Sequence, residues 1–226
     1  MSSPLSLEVE WCYHAYIILR GGGVTLAIDP HDGGSLGLPT CKIEADYILV
    51  THDHFDHNAV EMARGPRTRV YKWRLGSFQA GPFKVKGLKV YHDKAGGRLR
   101  GWVAAYLLEY EGLKLAHLGD LGHLLKTEDY PDLEGVDVMF IPVGGVYTIT
   151  AAEAWAVVEE LKPRIVVPIH YWLPGSPLPL DPLDRFLNVA RAGRRPVEGR
   201  SFRLTRQDLP GKTTIYYFTA SPKGSI

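Results

Sequence analysis

The chain has 226 residues, 45% of them hydrophobic and 23% charged, with a formal net charge of +1. Those values fit an ordinary globular chain with ample surface to bury, built as one large domain or two small ones. They offer no global electrostatic case for nucleic acid or a membrane surface as partner, and no apolar run approaches a membrane span.

The first residues, Met-Ser-Ser-Pro-Leu-Ser, lack the basic and apolar regions of a secretion signal, so a cytoplasmic location is expected. Leu5, Leu7, Val9 and Trp11 alternate with polar residues and predict a half-buried strand. Tyr16–Leu19 and Val24–Ile28 are β-rich segments joined through Gly21-Gly22-Gly23, which predicts a hairpin. Asp29-Pro30 closes the third strand, and a Gly- and Pro-rich loop follows to Thr40. Cys12 and Cys41 make no disulfide framework, and each is read as a buried reduced thiol, in keeping with the cytoplasm.

Tyr47-Ile48-Leu49-Val50 is a buried strand that runs into Thr51-His52-Asp53-His54-Phe55-Asp56-His57, three imidazoles and two carboxylates within seven residues. Residues 58–64 predict one or two helical turns ended by Gly65-Pro66. Arg69–Tyr71, 83–91 and 102–118 read as strands, the last folded into a hairpin at Glu111-Gly112. Val136–Ile141 and Ile165–Ile169 are almost wholly apolar, as for strands covered on both faces. Thr150-x-x-Glu153 is a capping box that opens a helix ended by Pro163. Asp181-Pro182 predicts an N-cap with proline in the first turn, and Gly193 a stop. Thr213–Thr219 is the final strand. Hairpins with interspersed helices, no internal repeat and no linker predict one α/β sandwich domain over residues 1–226.

The histidine cluster carries the chemistry. Imidazole nitrogen and carboxylate oxygen suit zinc, iron or manganese, whereas without a metal such groups crowd one another at a strand end. His52 and His54 point the same way in extended chain, while Asp56 and His57 follow a turn, so His-x-His-x-Asp-His predicts a two-metal site. His92, His117, Asp120 and His170 also fall just past apolar strands, where loops can converge on a rigid frame.

His52-Asp53-His54-Phe55-Asp56-His57 resembles the signature of the metallo-β-lactamase superfamily. Asp29-Pro30, His92-Asp93-Lys94-Ala95-Gly96-Gly97, His117-Leu118-Gly119-Asp120, Ile141-Pro142-Val143-Gly144-Gly145 and Pro168-Ile169-His170-Tyr171 fall in the order that superfamily uses. The likeness spans residues 11–172 and is nearest to a small, insert-free branch with ascorbate-6-phosphate lactonase and N-acyl-phosphatidylethanolamine phospholipase D-type enzymes. It implies a four-layer αβ/βα sandwich of two mixed sheets flanked by helices. It also implies two divalent ions, zinc first and manganese or iron as alternatives. His52, His54 and His92 would hold the first ion, Asp56, His57 and His170 the second, and Asp120 would bridge, since a carboxylate has two oxygens to offer. His117 competes with His92 for the third place on the first ion, or acts in the pocket beside Asp56 as a catalytic group. Asp29, His14 and Asp53 are expected to support the site, with Tyr147 and Tyr171 near the pocket mouth. Tyr13 stands where the family more often has glycine before the histidine.

The implied activity is hydrolysis of a small-molecule ester, lactone, amide or phosphoester by a water activated between the ions, oriented by Asp56. An iron-dependent oxygenase on the same scaffold is the first alternative. A nuclease is the second, resting on Arg185, Arg191, Arg194, Arg195, Arg200, Arg203 and Arg206. A homo-oligomer is left open by five tryptophans that either fill a core or anchor an interface. Loops at 31–45, 72–82, 121–132 and 172–180 are expected to form the pocket rim.

Overall fold

The computed structural model describes residues 6–222. Strand β1 (Leu7–Trp11) turns into the hairpin of β2 (Ile17–Gly21) and β3 (Val24–Ile28), and the three pair antiparallel. Leu5 lies outside the described residues. β4 (Ala45–Val50) and β5 (Arg64–Lys72) follow with parallel pairing. Next come β6 (Gly76–Ala80), β7 (Phe83–Tyr91), β8 (Trp102–Tyr110) and β9 (Leu113–His117), all antiparallel. β10 (Val138–Pro142), helix α1 (Ala151–Leu161) and β11 (Ile165–Ile169) form a parallel crossover unit. Helix α2 (Leu183–Val189), β12 (Gly193–Val197), β13 (Ser201–Leu204) and β14 (Thr214–Phe218) complete the chain.

The strands form two mixed sheets, β13-β1-β2-β3-β4-β5 and β12-β14-β11-β10-β9-β8-β7-β6. The sandwich expected from the sequence is present, with α-helix confined to α1 and α2 among the described residues. Every residue of β10 and β11 is buried, and α1 turns Ala154, Val157, Val158 and Leu161 inward. The capping box forms as the sequence predicts: the Glu153 N–H donates to Thr150 Oγ1 at 3.3 Å, and the Thr150 N–H to Glu153 Oε2 at 2.9 Å. No helix of the described residues is long and apolar enough to cross a membrane.

The two sheets are stitched together beside the histidine cluster. Tyr106 of β8 is fully buried; its hydroxyl donates to Val50 O of β4 at 3.0 Å and accepts from the Arg74 N–H at 3.1 Å. The Ala104 N–H donates to Thr51 O at 2.9 Å. A buried polar group left unpaired costs roughly 1–3 kcal/mol, so these bonds hold the end of β4 in one place on the opposite sheet.

Several local expectations are corrected. The helix expected over 58–64 is a three-residue 3-10 turn, Val60–Met62, and Gly65-Pro66 lies inside β5. Helix α2 begins at Leu183 with Pro182 at the N-cap and no side-chain cap, because Asp181 Oδ1 faces Arg185 Nε at 3.2 Å instead. Gly193 opens β12 rather than ending α2. The 72–82 segment holds edge strand β6, not a pocket loop alone. Cys12 and Cys41 are joined in a disulfide, with Cα atoms 5.9 Å apart, so the reduced-thiol reading fails and with it the cysteine argument for a cytoplasmic location. The C-terminal arginines do not gather into one track: Arg203 pairs with Glu8, Arg200 with Glu10 and Arg185 with Asp181. Arg195 donates to the Tyr216 hydroxyl at 2.9 Å.

Candidate metal centre

Parallel strands from both sheets end at the same edge. β3 delivers Asp29, β4 the histidine cluster, β9 Asp120 and β11 His170, while β7 adds His92. In open sheets, ligands gather where strand carboxyl ends leave a crevice.

Asp120 is the pivot. Its Oδ1 lies 3.1 Å from His57 Nε2 and 3.3 Å from His170 Nε2. Its Oδ2 lies 3.3 Å from His92 Nε2 and 3.6 Å from His52 Nε2. His54 Nδ1 sits 2.9 Å from His52 Nε2. On the other side, Asp56 Oδ2 is 3.0 Å from His14 Nε2, 3.5 Å from His57 Nε2 and 3.7 Å from His170 Nε2. Two four-residue sets result, His52, His54, His92 and Asp120, and His14, Asp56, His57 and His170, each with ligand atoms within 4.8 Å of one another; Asp29, His52 and His57 make a third, smaller group behind them. The seven residues expected as ligands are thus brought together, and His14 joins them.

The surroundings fix which ring nitrogens are free. Asp29 Oδ1 accepts from the Thr51 N–H at 2.7 Å, and Asp29 Oδ2 accepts from the Thr51 hydroxyl at 2.7 Å. With that proton committed, Thr51 Oγ1 is left to accept from His52 Nδ1–H at 2.9 Å. His57 Nδ1–H donates to Asp29 Oδ2 at 2.9 Å. One carboxylate therefore turns Nε2 of both His52 and His57 inward, as metal-ligating histidines require.

His14 is placed by a clamp. Tyr13 and His14 hold left-handed backbone angles, φ 65° and 51°, which cost energy for residues other than glycine and persist only when neighbours impose them. His31 Nε2–H donates to Cys12 O at 2.8 Å and His117 Nε2–H to Ala15 O at 2.9 Å. Trp11 Nε1–H donates to His14 O at 3.0 Å. His117 also accepts from the Gly119 N–H through Nδ1 at 3.2 Å. Both its nitrogens are spent on backbone, so the expectations of His117 as a catalytic group or rival ligand are corrected in favour of His92.

Burial alone would push the Asp56 and Asp120 carboxyls up, but facing imidazoles outweigh it, His57 first for Asp56 and His170 first for Asp120, and hold both well below the usual carboxylate range. Burial, then His170, lowers His14 to about 3, and burial, then His52 and His92, lowers His54 to about 4. Burial opposes charge on His170 too, but Asp120 and Asp56 raise it to about 9. His57 Nε2 and Asp120 Oδ1 are buried without a hydrogen-bond partner. Buried imidazole nitrogens and carboxylate oxygens that converge in this way, two of them left without a hydrogen bond, fit a cation, and nitrogen and oxygen donors fit zinc, manganese or iron.

A cavity of about 450 Å³ opens over both sets. Its wall includes Phe55, Leu99, Arg100, Tyr147 and Leu178. Tyr147 thus stands where it was expected, and Leu178 comes from the expected 172–180 loop. Tyr171 does not line the cavity; it is buried and stacks on Trp11 with ring centroids 5.7 Å apart. Asp53 is exposed and accepts from Asn58 Nδ2 at 2.7 Å, which closes the turn that carries Phe55, Asp56 and His57. A Cβ on Gly144 would strike His170 O, so the glycine lets β10 exit against the His170 loop. Arg100 and Leu99 were missed. The available signal was an Arg-Leu-Arg run in a glycine-bounded loop directly after His92.

Residues 8–170 match the family model described as a β-lactamase superfamily domain. A UPF0173 protein from Pyrococcus furiosus is 34% identical over 191 residues, covering 73% of this chain and 83% of its own. A UPF0173 metal-dependent hydrolase from Archaeoglobus fulgidus is 28% identical over 193 residues, covering 73% and 83%. A solved structure from Thermotoga maritima, described as a Zn-dependent hydrolase of the metallo-β-lactamase superfamily, superposes with a TM-score of 0.73 at 29% identity, over 94% of this chain and 100% of that one. The chain belongs to the β-lactamase superfamily, and within it to the UPF0173 group, several of whose members are described as metal-dependent hydrolases.

Proposed function

We propose that this β-lactamase superfamily member is a hydrolase working with two divalent ions, zinc first, on a small-molecule ester, lactone, amide or phosphoester. The observation that carries the reading is Asp120, whose two oxygens each face a different pair of imidazoles. His52, His54 and His92 hold one ion in this reading, and Asp56, His57, His170 and His14 the other, with Asp120 shared. Divalent ions at such a site supply Lewis acidity and lower the pKa of a water from 15.7 towards roughly 7. The chain's own contribution is positional. Asp29 and Thr51 engage Nδ1 of His57 and His52 and so aim Nε2 of both rings inward. His57 first, then His14 and His170, keep Asp56 ionised, so it can accept a hydrogen bond from the attacking water and orient it. Burial of Asp120, His57 and His170 strengthens each of these interactions.

Chelation of the purified protein is expected to abolish hydrolysis of a panel of 4-nitrophenyl esters, a lactone and bis(4-nitrophenyl) phosphate, and zinc to restore it. Asp120→Ala should lower kcat/KM at least about a thousandfold, which corresponds to ~4 kcal/mol of transition-state stabilisation. Metal analysis should find two equivalents per chain in the wild type. Hydrolysis that survives both chelation and Asp120→Ala would sink the proposal.

A further inference from the structure

The loop between β7 and β8, residues 92–101, is built around one buried carboxylate. Asp93 Oδ1 accepts from the N–H groups of Ala95 and Gly97 at 2.7 and 3.0 Å, and Oδ2 from those of Leu99 and Arg100 at 2.9 and 2.7 Å. Four charge-assisted bonds to one side chain make a preorganised loop, and His92 at its foot belongs to the site itself. The loop's cations differ in how they are used. Lys94 pairs with Glu153 at 2.5 Å, and Arg98 donates to Ala95 O at 3.0 Å. Arg100 makes no ion pair among the described residues; its guanidinium lies over the Tyr147 ring at 5.5 Å, and it is the cation that lines the cavity. Beside it stand Leu99, 76% exposed, and Phe55, 56% exposed, with Leu178 across the opening. Exposed apolar groups that share a cavity mouth mark a binding surface, and an arginine packed over an aromatic ring with no carboxylate partner leaves its N–H groups free for an anion.

We propose that Arg100 is a specificity-determining residue and that the substrate carries a fixed anion, carboxylate or phosphate, together with an apolar body. This rests on the reading of the cavity as the reacting site. The bond to be cleaved has to reach Asp56 and Asp120 at the cavity floor, so the group Arg100 recognises is a different one, set apart from the scissile bond. The apolar body lies between them, against Leu99, Phe55 and Leu178. Arginine at the rim rewards a negative charge at that distance, and a neutral substrate would leave it facing solvent.

The test uses the metal-loaded protein and ligands that need no turnover. Hydroxamates of four to ten carbons are compared by calorimetry, with the far end a carboxylate, a phosphonate or a methyl group. Arg100→Ala should weaken the acid-ended series about tenfold at the best chain length and the methyl-ended series less than twofold. Arg100→Lys should recover most of the loss, and Leu99→Ser should weaken both series alike. The acid-ended series that depends more steeply on Arg100 names the anion as carboxylate or phosphate. If Arg100→Ala changes neither series, or both equally, at every chain length, the proposal is overturned while methyl-ended binding leaves the metal reading standing. Failure of every probe to bind overturns both.

Discussion

Asp29 does more at this site than its distance in sequence from the ligands would indicate. Its Oδ2 orients His57 directly and His52 through the Thr51 hydroxyl, while Oδ1 holds the Thr51 N–H. His14 is the residue with the sharpest consequence. If it completes the second set, His14→Ala removes one nitrogen donor and leaves Asp56 Oδ2 without its nearest partner, 3.0 Å away. The variant is expected to bind one ion as the wild type does and the other roughly 10–100-fold more weakly, the range seen when a group supporting a metal is lost. Competition titration with a chelator, read by metal analysis, gives both affinities; two unchanged affinities would remove His14 from the ligand set. The seven side chains expected as ligands were legible because they stand past apolar strands. His14 was read only as a supporting residue, because it sits on a turn whose left-handed backbone cannot be read from Trp11-Cys12-Tyr13-His14. The superfamily's usual glycine before this histidine now has a physical reason: Tyr13 holds φ 65°, an angle glycine adopts freely.

Among the elements, the strands that the sequence hid share a position. β6 and β12 are the two edges of one sheet, β13 is an edge of the other, and β5, read only over Arg69–Tyr71, is its opposite edge. Edge strands are partly solvated and guarded by charge and proline, so they lack the apolar run that betrays a central strand. β12 reads Gly-Arg-Arg-Pro-Val and buries only Val197. Central β10 and β11, buried throughout, were legible for the opposite reason. The Cys12–Cys41 bond belongs to the same scale, since it ties the turn after β1 to the loop before β4 across 29 positions. Neither segment has a periodicity that places it, which is why the pairing escaped the sequence. Closing a loop of that length stabilises a fold by about 3–4 kcal/mol in the chain-entropy account. Reduction, or Cys41→Ala, is therefore expected to lower the melting temperature by about 10 °C in scanning calorimetry. An unchanged melting temperature under reducing conditions would mean the bond contributes nothing to the fold.

The whole molecule gathers eight ionisable side chains able to hold a metal from two sheets into one site, and that makes its stability depend on pH in a way that tests what the site is for. In the metal-free protein His170 is raised from its ordinary 6.5 to about 9; burial works against this, and the attraction of Asp120 and then Asp56 prevails. His57 is raised well above its ordinary value against the same burial, by Asp120, Asp56 and Asp29. A group whose folded pKa lies above its unfolded one contributes stability that is complete below the unfolded value and is lost as pH rises through the folded value. The chelated protein should thus melt lower at pH 9.5 than at pH 6.5. A bound ion takes the same nitrogens only after their protons leave, so metal affinity, and the stability it confers, rises over that interval. The metal-loaded protein should show a flat or upward trend where the chelated one falls. Melting curves of both forms across pH 6.5–9.5 read the two slopes directly. Parallel slopes would mean that the imidazoles and carboxylates at the strand ends serve the fold alone, with no cation exchanging for their protons.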